Sequence, residues 1–239
     1  MKKLYILKAG TSLARVIRSE GDFEKLIINK SGIPGLSCEI ISNFSYYHYR
    51  IPPDAGGFII TGSHSMVTDT NHWIIQLSGM IREILNSGVP LLGICFGHQL
   101  ISTLMGGEVD TIDSGMEIGT VNIRKTSEAN DDVLFKHMPN SFHAFASHTQ
   151  TITSLPGNAR CLAGNIIEKN HAVCYETGRV WGVQFHPEFT NNVMKEYIHH
   201  FHNNIISSGG NPHRILNSLK PDTHGELLLS EFCKLCQVI

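Results

Sequence analysis

A cysteine stands where the chain could present a nucleophile. Residues 89–99 read VPLLGICFGHQ, so an apolar run leads into Cys95, which is flanked by Gly93 and Gly97. This order is typical of a nucleophile elbow, in which a strand passes through a tight turn directly into a helix. Glycines let neighbouring backbone approach such a strained turn closely. A helix N-terminus beneath the sulfur would favour the thiolate, which is the reactive form of cysteine.

A base for this nucleophile is found later in the chain. Residues 180–188 read VWGVQFHPE, again an apolar strand-like run that ends in polar groups. Residues two apart in an extended chain share a face, so His186 and Glu188 would project together, and Pro187 favours extended backbone at His186. The carboxylate would hold the imidazole in one tautomer. Cys95, His186 and Glu188 are therefore predicted to be nucleophile, base and orienting acid.

Each motif also has a purely structural explanation. A free cysteine is most often a small buried residue, and a His-Pro-Glu sequence is compatible with an ordinary turn. The two motifs occur together, however, and they supply complementary parts of one mechanism. Their joint occurrence favours catalysis.

Residues 93–99 and 184–188 together resemble the two signature motifs of the class I glutamine amidotransferases. The resemblance covers most of the chain, from the first strand to about Phe201. In particular, the chain is similar to the amidotransferase domain of GMP synthase and to free-standing proteins like it. The resemblance implies hydrolysis of the glutamine side-chain amide through a γ-glutamyl thioester on Cys95, with His186 and Glu188 completing the triad and with no cofactor.

Attack on a carboxamide creates an oxyanion that needs hydrogen-bond donors placed beforehand. The backbone N–H of Phe96, directly after the nucleophile, is one predicted donor. The resemblance assigns the second to Gly62, although the segment 61–63 is also compatible with a strand-terminating turn. His64 departs from the family, which usually has proline at this position.

The resemblance further implies three residues that bind substrate. Ser147 and His148 follow a predicted strand and resemble the segment that contacts the α-amino and carboxylate ends of glutamine. Gln99 lies one helical turn after Cys95, so the two side chains can share a helix face. The alternatives are a surface strand end for Ser147 and His148, and a solvent-facing helix position for Gln99.

Strands that alternate with helices in the first half predict an α/β fold with a mainly parallel open sheet. We expect a single domain, helices that flank the sheet, a smaller antiparallel strand section, and the nucleophile elbow at the carboxyl edge of the sheet. Predicted strands are 4–7, 38–42, 58–61, 89–94, 121–124, 144–147, 166–167, 173–176 and 180–184. Predicted helices are 22–29, 72–86, one through 99–105, one through 193–205, and one over 225–236.

Domain organisation follows from these elements. Residues 1–205 are predicted to form the amidotransferase domain, and residues 206–239 a short link and a C-terminal helical tail. The chain contains no phosphate-binding loop of the P-loop type, and the tail has no room for an ammonia-accepting domain.

Composition narrows the remaining possibilities. The 239 residues carry a net charge of −2 and no basic block, which argues against nucleic acid as a partner, and no run reaches membrane-spanning length. Six dispersed cysteines do not form a disulfide framework, so a reducing cytoplasm is expected. No metal site is predicted, because His199, His200 and His202 lack suitable partners and Cys233 and Cys236 form a single C-x-x-C.

Three functions remain open at this point. The chain is a glutaminase subunit that passes ammonia to a separate synthetase, or a stand-alone hydrolase of γ-glutamyl compounds with the same triad, or a catalytically silent binding protein. The intact triad argues against the third.

Overall fold

A computed structural model describes residues 2–44, 50–113, 115–175, 179–220 and 224–238. The strands are β1 (Lys3–Leu7), β2 (Cys38–Ile41), β3 (Ala55–Ile60), β4 (Leu91–Ile94), β5 (Glu108–Thr111), β6 (Glu117–Lys125), β7 (Ser141–His148), β8 (Gln150–Ser154), β9 (Ala159–Gly164), β10 (Ala172–Tyr175) and β11 (Val180–Val183). The helices are α1 (Ala14–Ser19), α2 (Phe23–Lys30), α3 (His72–Ser87), α4 (Phe96–Leu104), α5 (Asn191–His200), α6 (His202–Ser207), α7 (Pro212–Ser218) and α8 (Gly225–Leu235).

The described residues form a nine-stranded sheet in the order β2-β1-β3-β4-β11-β10-β9-β6-β7. Strands β2, β1, β3, β4 and β11 pair in parallel. From β11 outward the pairing becomes antiparallel through β10, β9, β6 and β7. A second, small antiparallel sheet joins β5 and β8. The predicted α/β fold, with a parallel open sheet and an antiparallel section, is confirmed.

The parallel strands at the centre of the sheet are buried on both faces. Every residue of β3, β4 and β11 is buried, as expected for strands with helices on either side. Alternate residues of β1 and β3 pack into two different clusters: Leu4 and Ile59 contribute to one, Tyr5 and Phe58 to the other. Helix α8 supplies residues to the first cluster, and α3 and α4 supply residues to the second.

The predicted strand at 166–167 is wrong. These residues form a bend between β9 and β10, and Ile166 is 94% exposed. The Asn165 side chain explains the bend, because its Oδ1 accepts hydrogen bonds from the backbone N–H groups of Ile167 and Glu168. Such an asparagine turn competes with strand pairing in spite of the two β-branched residues.

Other elements differ from the predictions in extent. The closing helix divides into α5 and α6 at Phe201, whose φ of −90° and ψ of 18° depart from helical geometry. Helix α7 was missed, although Asn211 caps it and Pro212 occupies its first turn. Also missed were α1, β5, β8 and β9. The predicted strand 173–176 corresponds to β10, and Glu176 lies outside the described residues.

Helix α8 packs onto the sheet. Leu228, Leu229 and Phe232 are fully buried in the same hydrophobic cluster as strand β4, and the Phe232 ring meets Trp181 edge to face. The apolar face of this helix therefore adds to the main core. Across the described ranges, none of the helices has the combination of length and hydropathy that a transmembrane span requires.

This packing predicts that the tail helix stabilises the whole fold. Leu229→Ala should lower the free energy of unfolding by about 2–5 kcal/mol, because it removes buried methyl groups and leaves a cavity. Ile206→Ala is the matched control: Ile206 is 53% exposed, so its truncation should cost less than about 0.5 kcal/mol. Urea denaturation measures both values, and equal values would contradict the packing argument.

Candidate active site

The carboxyl ends of three parallel strands lie side by side and position the residues of the candidate site. In the sheet register Ile60 lies beside Gly93, and Val183 lies beside Ile94. Strands β3, β4 and β11 therefore end at the same edge of the sheet. The polar segments that follow them lie next to one another along this edge. A hydrogen bond of 2.8 Å from the Cys95 N–H to the Val183 carbonyl continues the β4–β11 pairing up to the thiol.

Cys95 sits in a strained turn between β4 and α4. Its φ of 51° and ψ of −101° are unusual for a residue with a side chain, and they direct the chain sharply from strand into helix. A Cβ at Gly93 would lie 2.5 Å from the Gly97 carbonyl carbon, and a Cβ at Gly97 would lie 2.8 Å from the Ile60 side chain. Both glycines are therefore required by close backbone packing, as the elbow motif predicted.

His186 and Glu188 lie together in the buried segment after β11. The Nδ1 of His186 is 2.8 Å from Glu188 Oε1, and both side chains are buried. The Phe189 ring stacks on the imidazole at 4.0 Å between centroids, and the His186 backbone N–H donates to the Phe145 carbonyl. With Nδ1 donating to the carboxylate, Nε2 is left for a second partner.

The electrostatics of the imidazole indicate that this second partner is the thiol. Burial alone would lower the pKa of His186, but the charge of Glu188, the charge of Cys95 and hydrogen bonds to both outweigh burial and raise this pKa to about 10. At neutral pH the imidazole is therefore held as a cation between two acidic groups. A neighbouring cation favours the thiolate form of cysteine.

The two predicted oxyanion donors flank the thiol. Phe96 provides the first amide of helix α4, which has no acceptor within the helix. A Cβ at Gly62 would lie 3.0 Å from the His186 ring and 3.8 Å from Cys95 Cβ, so this glycine borders both groups. Neither amide N–H has a hydrogen-bond partner among the described residues. Both are thus available to an oxygen atom bound beside the sulfur.

A cavity of about 290 Å³ opens over these groups. Its lining includes Cys95 and His186 and all three residues predicted to bind substrate, Gln99, Ser147 and His148. A second part of the lining is rich in aromatic rings, with His64 near the centre: its ring lies 5.8–6.5 Å from the rings of Phe23, Tyr197, His200 and Phe201.

The side chains of Gln99 and His148 are engaged by the protein itself. Gln99 Nε2 donates to the Gln150 carbonyl and to Gln184 Oε1, each at 2.9 Å. The two ring nitrogens of His148 lie 2.9 Å from the Gln150 carbonyl and from Glu117 Oε2. Direct contact of these polar atoms with a ligand remains a prediction, and their visible role is to order the wall of the cavity.

Sequence reasoning missed two buried polar residues of this wall. Gln184 Nε2 lies 3.5 Å from Cys95 Sγ, and Gln184 is fully buried. Glu117 is also buried; burial would raise its pKa, but hydrogen bonds from His148 and His171 outweigh burial and hold the pKa of Glu117 well below its usual range. Gln184 is the first residue of the motif at 184–188, whereas nothing in the sequence around Glu117 indicated a role.

Glu117, His148 and His171 also form the single group in the described ranges that could hold a metal ion, with potential ligand atoms within 4.8 Å of one another. No metal was predicted from the sequence. Hydrogen bonds already engage this cluster, since Glu117 accepts from His148 and, at 2.8 Å, from Asn165 Nδ2. Asn165 Nδ2 also lies 2.9 Å from His171 Nε2.

The α/β sheet thus carries a cysteine elbow at its carboxyl edge, with a histidine beside that cysteine and a glutamate hydrogen-bonded to the histidine, an arrangement typical of enzymes with a thiol nucleophile. The family model "Glutamine amidotransferase class-I" matches residues 16–205. The chain belongs to the class I glutamine amidotransferase family, and it is a cysteine-dependent enzyme of that type, as its two motifs predicted.

Similar proteins agree with this membership. The chain is 33% identical over 184 residues to one subunit of the glutamine-hydrolysing GMP synthase of Methanococcus vannielii, covering 77% of this chain and 75% of that one. It is 29% identical over 222 residues to the protein of the same name from Methanococcus maripaludis, covering 92% and 95%. A glutamine amidotransferase crystal structure from Thermotoga maritima shares the fold, with a TM-score of 0.74, 20% identity and 99% coverage of both chains.

The charge environment of His186 can be tested by titration. In the wild-type protein the imidazole should titrate near pH 10. Glu188→Gln and Cys95→Ala should each lower this midpoint, because each removes a negative charge that stabilises the cation. NMR of ring-labelled histidines measures the midpoint, and the signal of exposed His137 should be the same in all three proteins. A His186 midpoint that neither substitution changes would contradict the proposed contacts.

Proposed function

We propose that this protein hydrolyses the side-chain amide of glutamine to glutamate and ammonia through a γ-glutamyl thioester on Cys95. The main support is the proximity of the strained thiol to an imidazole that is kept cationic by Glu188, at the floor of one cavity. The choice of glutamine as the substrate is supported by the membership of this chain in the class I glutamine amidotransferases.

In the first half-reaction the thiolate of Cys95 attacks the side-chain carbonyl carbon of glutamine. The carbonyl oxygen becomes an oxyanion and accepts hydrogen bonds from the N–H groups of Gly62 and Phe96. The His186 imidazolium then gives its proton to the amide nitrogen. The carbon–nitrogen bond breaks, ammonia leaves, and the carbonyl re-forms as a thioester.

In the second half-reaction a water molecule attacks the thioester. Neutral His186 takes a proton from this water, and the same two amides stabilise the second oxyanion. The carbon–sulfur bond then breaks, glutamate leaves, and Cys95 returns as a thiolate beside the protonated imidazole. Glu188 takes no part in the proton transfers, and it orients the ring and stabilises its charge.

The fate of the ammonia is inferred from the relatives. Two of them are named as single subunits of a glutamine-hydrolysing GMP synthase, a name that implies a separate second subunit. By analogy, we infer that this chain delivers ammonia to a separate synthetase. All six cysteines are free thiols, which supports our proposal that the enzyme works in the reducing cytoplasm.

One observation favours a second candidate function. The cavity extends beyond the space around the thiol to an aromatic cluster that includes His64, Tyr197 and Phe201. His64, where the family usually has proline, takes part in this cluster and its Nε2 lies 3.3 Å from the Tyr197 hydroxyl. An aromatic wall would suit a leaving group larger than ammonia, so hydrolysis of γ-glutamyl amides by the same triad is the alternative.

The triad predicts a graded loss of activity. Cys95→Ala should abolish glutamate release, because no nucleophile remains. Glu188→Ala should retain at least about tenfold more activity than Cys95→Ala, because the carboxylate acts only through the base. Cys161→Ala is the matched control, since this thiol lies outside the cavity, and it should behave like wild type. Glutamate release and labelling of Cys95 by a glutamine-like electrophile are measured in the same samples.

Some results would contradict the proposal. Equal, negligible effects of Cys95→Ala and Glu188→Ala would show that the triad is not used. A folded protein whose Cys95 is not labelled, and which releases no glutamate with or without an added synthetase, would favour a binding protein instead.

The two candidate substrates can be separated by the leaving group. If the aromatic cluster binds an amine, γ-glutamyl anilides should be hydrolysed with a kcat/KM at least about tenfold above that of glutamine, and Phe201→Ala should lower this ratio. Steady-state assays with both substrates measure it. A ratio below one, with glutamine hydrolysis intact, would contradict the second candidate and support the first.

A further inference from the structure

Gln184 occupies a buried position between two residues of the site. It follows β11 directly, as Cys95 follows β4, and the register of these strands brings the two residues side by side. The Gln184 carboxamide lies with Nε2 3.5 Å from Cys95 Sγ and with Oε1 2.9 Å from Gln99 Nε2. The side chain is fully buried and spans from the thiol to helix α4.

Hydrogen bonds fix which end of this amide faces the sulfur. Gln99 donates one N–H to the backbone carbonyl of Gln150, and a carbonyl can only accept. The same Nε2 atom therefore donates its other hydrogen to Gln184, so Gln184 must present its oxygen to Gln99. Its NH₂ group is left to face Cys95. A flipped Gln184 amide would place two donors against each other and an oxygen against the sulfur.

A buried polar network holds this pair of amides in place. The Gln150 carbonyl also lies 2.9 Å from His148 Nδ1, and His148 Nε2 lies 2.9 Å from Glu117. The Gln150 carbonyl can only accept, so the His148 ring donates to it from Nδ1. The carbonyl is thereby fixed from two sides, and it determines the orientation of Gln99 and through it that of Gln184.

We propose that Gln184 is a catalytic residue whose amide N–H donates a hydrogen bond to the Cys95 sulfur and stabilises the thiolate. A thiolate accepts such a bond more strongly than a thiol, because charge-assisted hydrogen bonds are the stronger ones. The sulfur then has a donor on two sides, the His186 imidazolium and the Gln184 amide. The donor also stabilises the sulfur when it leaves the thioester, so this assignment deepens the proposed reaction and rests on it for its effect on turnover.

Other titratable groups around the sulfur act in addition to this amide. His186, with Glu188 behind it, carries the charges in contact with the thiol. Tyr197, His64 and His148 line the same cavity. None of these groups is altered by a substitution at Gln184, so a change in the ionisation of Cys95 in such a variant reports on the amide.

The test measures the ionisation of Cys95 directly. The rate at which iodoacetamide alkylates Cys95 is followed across the acid-to-alkaline range by mass spectrometry of the Cys95 peptide, in the full chain. Gln184→Met keeps the length and neutrality of the side chain and removes the donor. Gln184→Glu keeps the shape and replaces the donor by a carboxylate. Gln76→Met and Gln76→Glu are the matched controls on helix α3, outside the cavity.

The proposal predicts that the alkylation midpoint of Cys95 rises by about one pH unit in Gln184→Met, which corresponds to about tenfold less thiolate below the midpoint. The rise should be larger in Gln184→Glu, because the new charge repels the thiolate. At pH values below both midpoints, kcat/KM for glutamine should fall by about tenfold in Gln184→Met, and it should recover above the new midpoint. Both Gln76 variants should match wild type.

An unchanged midpoint in folded Gln184→Met would overturn the proposal. The buried thiols Cys174, Cys233 and Cys236 report folding in the same samples, because they should alkylate slowly only in a folded chain. If Gln184→Met does not fold, the midpoint of Gln184→Glu decides. The alkylation test needs no substrate, so an absence of glutaminase activity would reject the proposed function and leave the test of Gln184 valid.

Discussion

The site depends on one backbone constraint, the positive-φ turn that presents Cys95 at the carboxyl edge of the sheet. The turn exists because β4 is paired in parallel on both sides, so the strand cannot shift, and because helix α4 starts at the next residue. Gly93 and Gly97 give the turn the space that it requires. A few kcal/mol of backbone strain is typical of functional residues and is supported by the surrounding packing.

The register of the neighbouring strands places the other residues of the site around Cys95. Parallel strands end at a common edge, so the neighbours of β4 bring Gly62 from one side and Gln184 and His186 from the other. Burial then determines how strongly the charged groups of the site interact. A carboxylate, an imidazole and a thiol removed from water interact strongly, and the balance of charges favours a cationic His186 despite the cost of burying it.

Local sequence was sufficient to predict the parallel part of the fold and to single out the two segments that carry Cys95 and His186, whose reactive roles stay a prediction. The strand before Cys95 is a short apolar run bounded by glycines, and the His-Pro-Glu segment has the spacing of an extended chain, so both signals are local. Strand β9, of sequence ARCLAG, lacks a clear alternation, and Ile166 was misassigned because the Asn165 side chain determines the turn. The buried contacts of Gln184 and Glu117 form only when the segments at β11, α4, β6 and β7 come together, and no local pattern encodes such contacts.

Trapping the covalent intermediate tests most directly whether Cys95 is the nucleophile. The wild-type protein is mixed with glutamine, quenched with acid within milliseconds to seconds, digested and analysed by mass spectrometry. If a thioester forms on Cys95, the Cys95 peptide should show a transient mass increase of one γ-glutamyl group, which hydroxylamine removes and which is absent in Cys95→Ala. Glutamate release without this adduct, or an adduct on another cysteine, would contradict this role of Cys95.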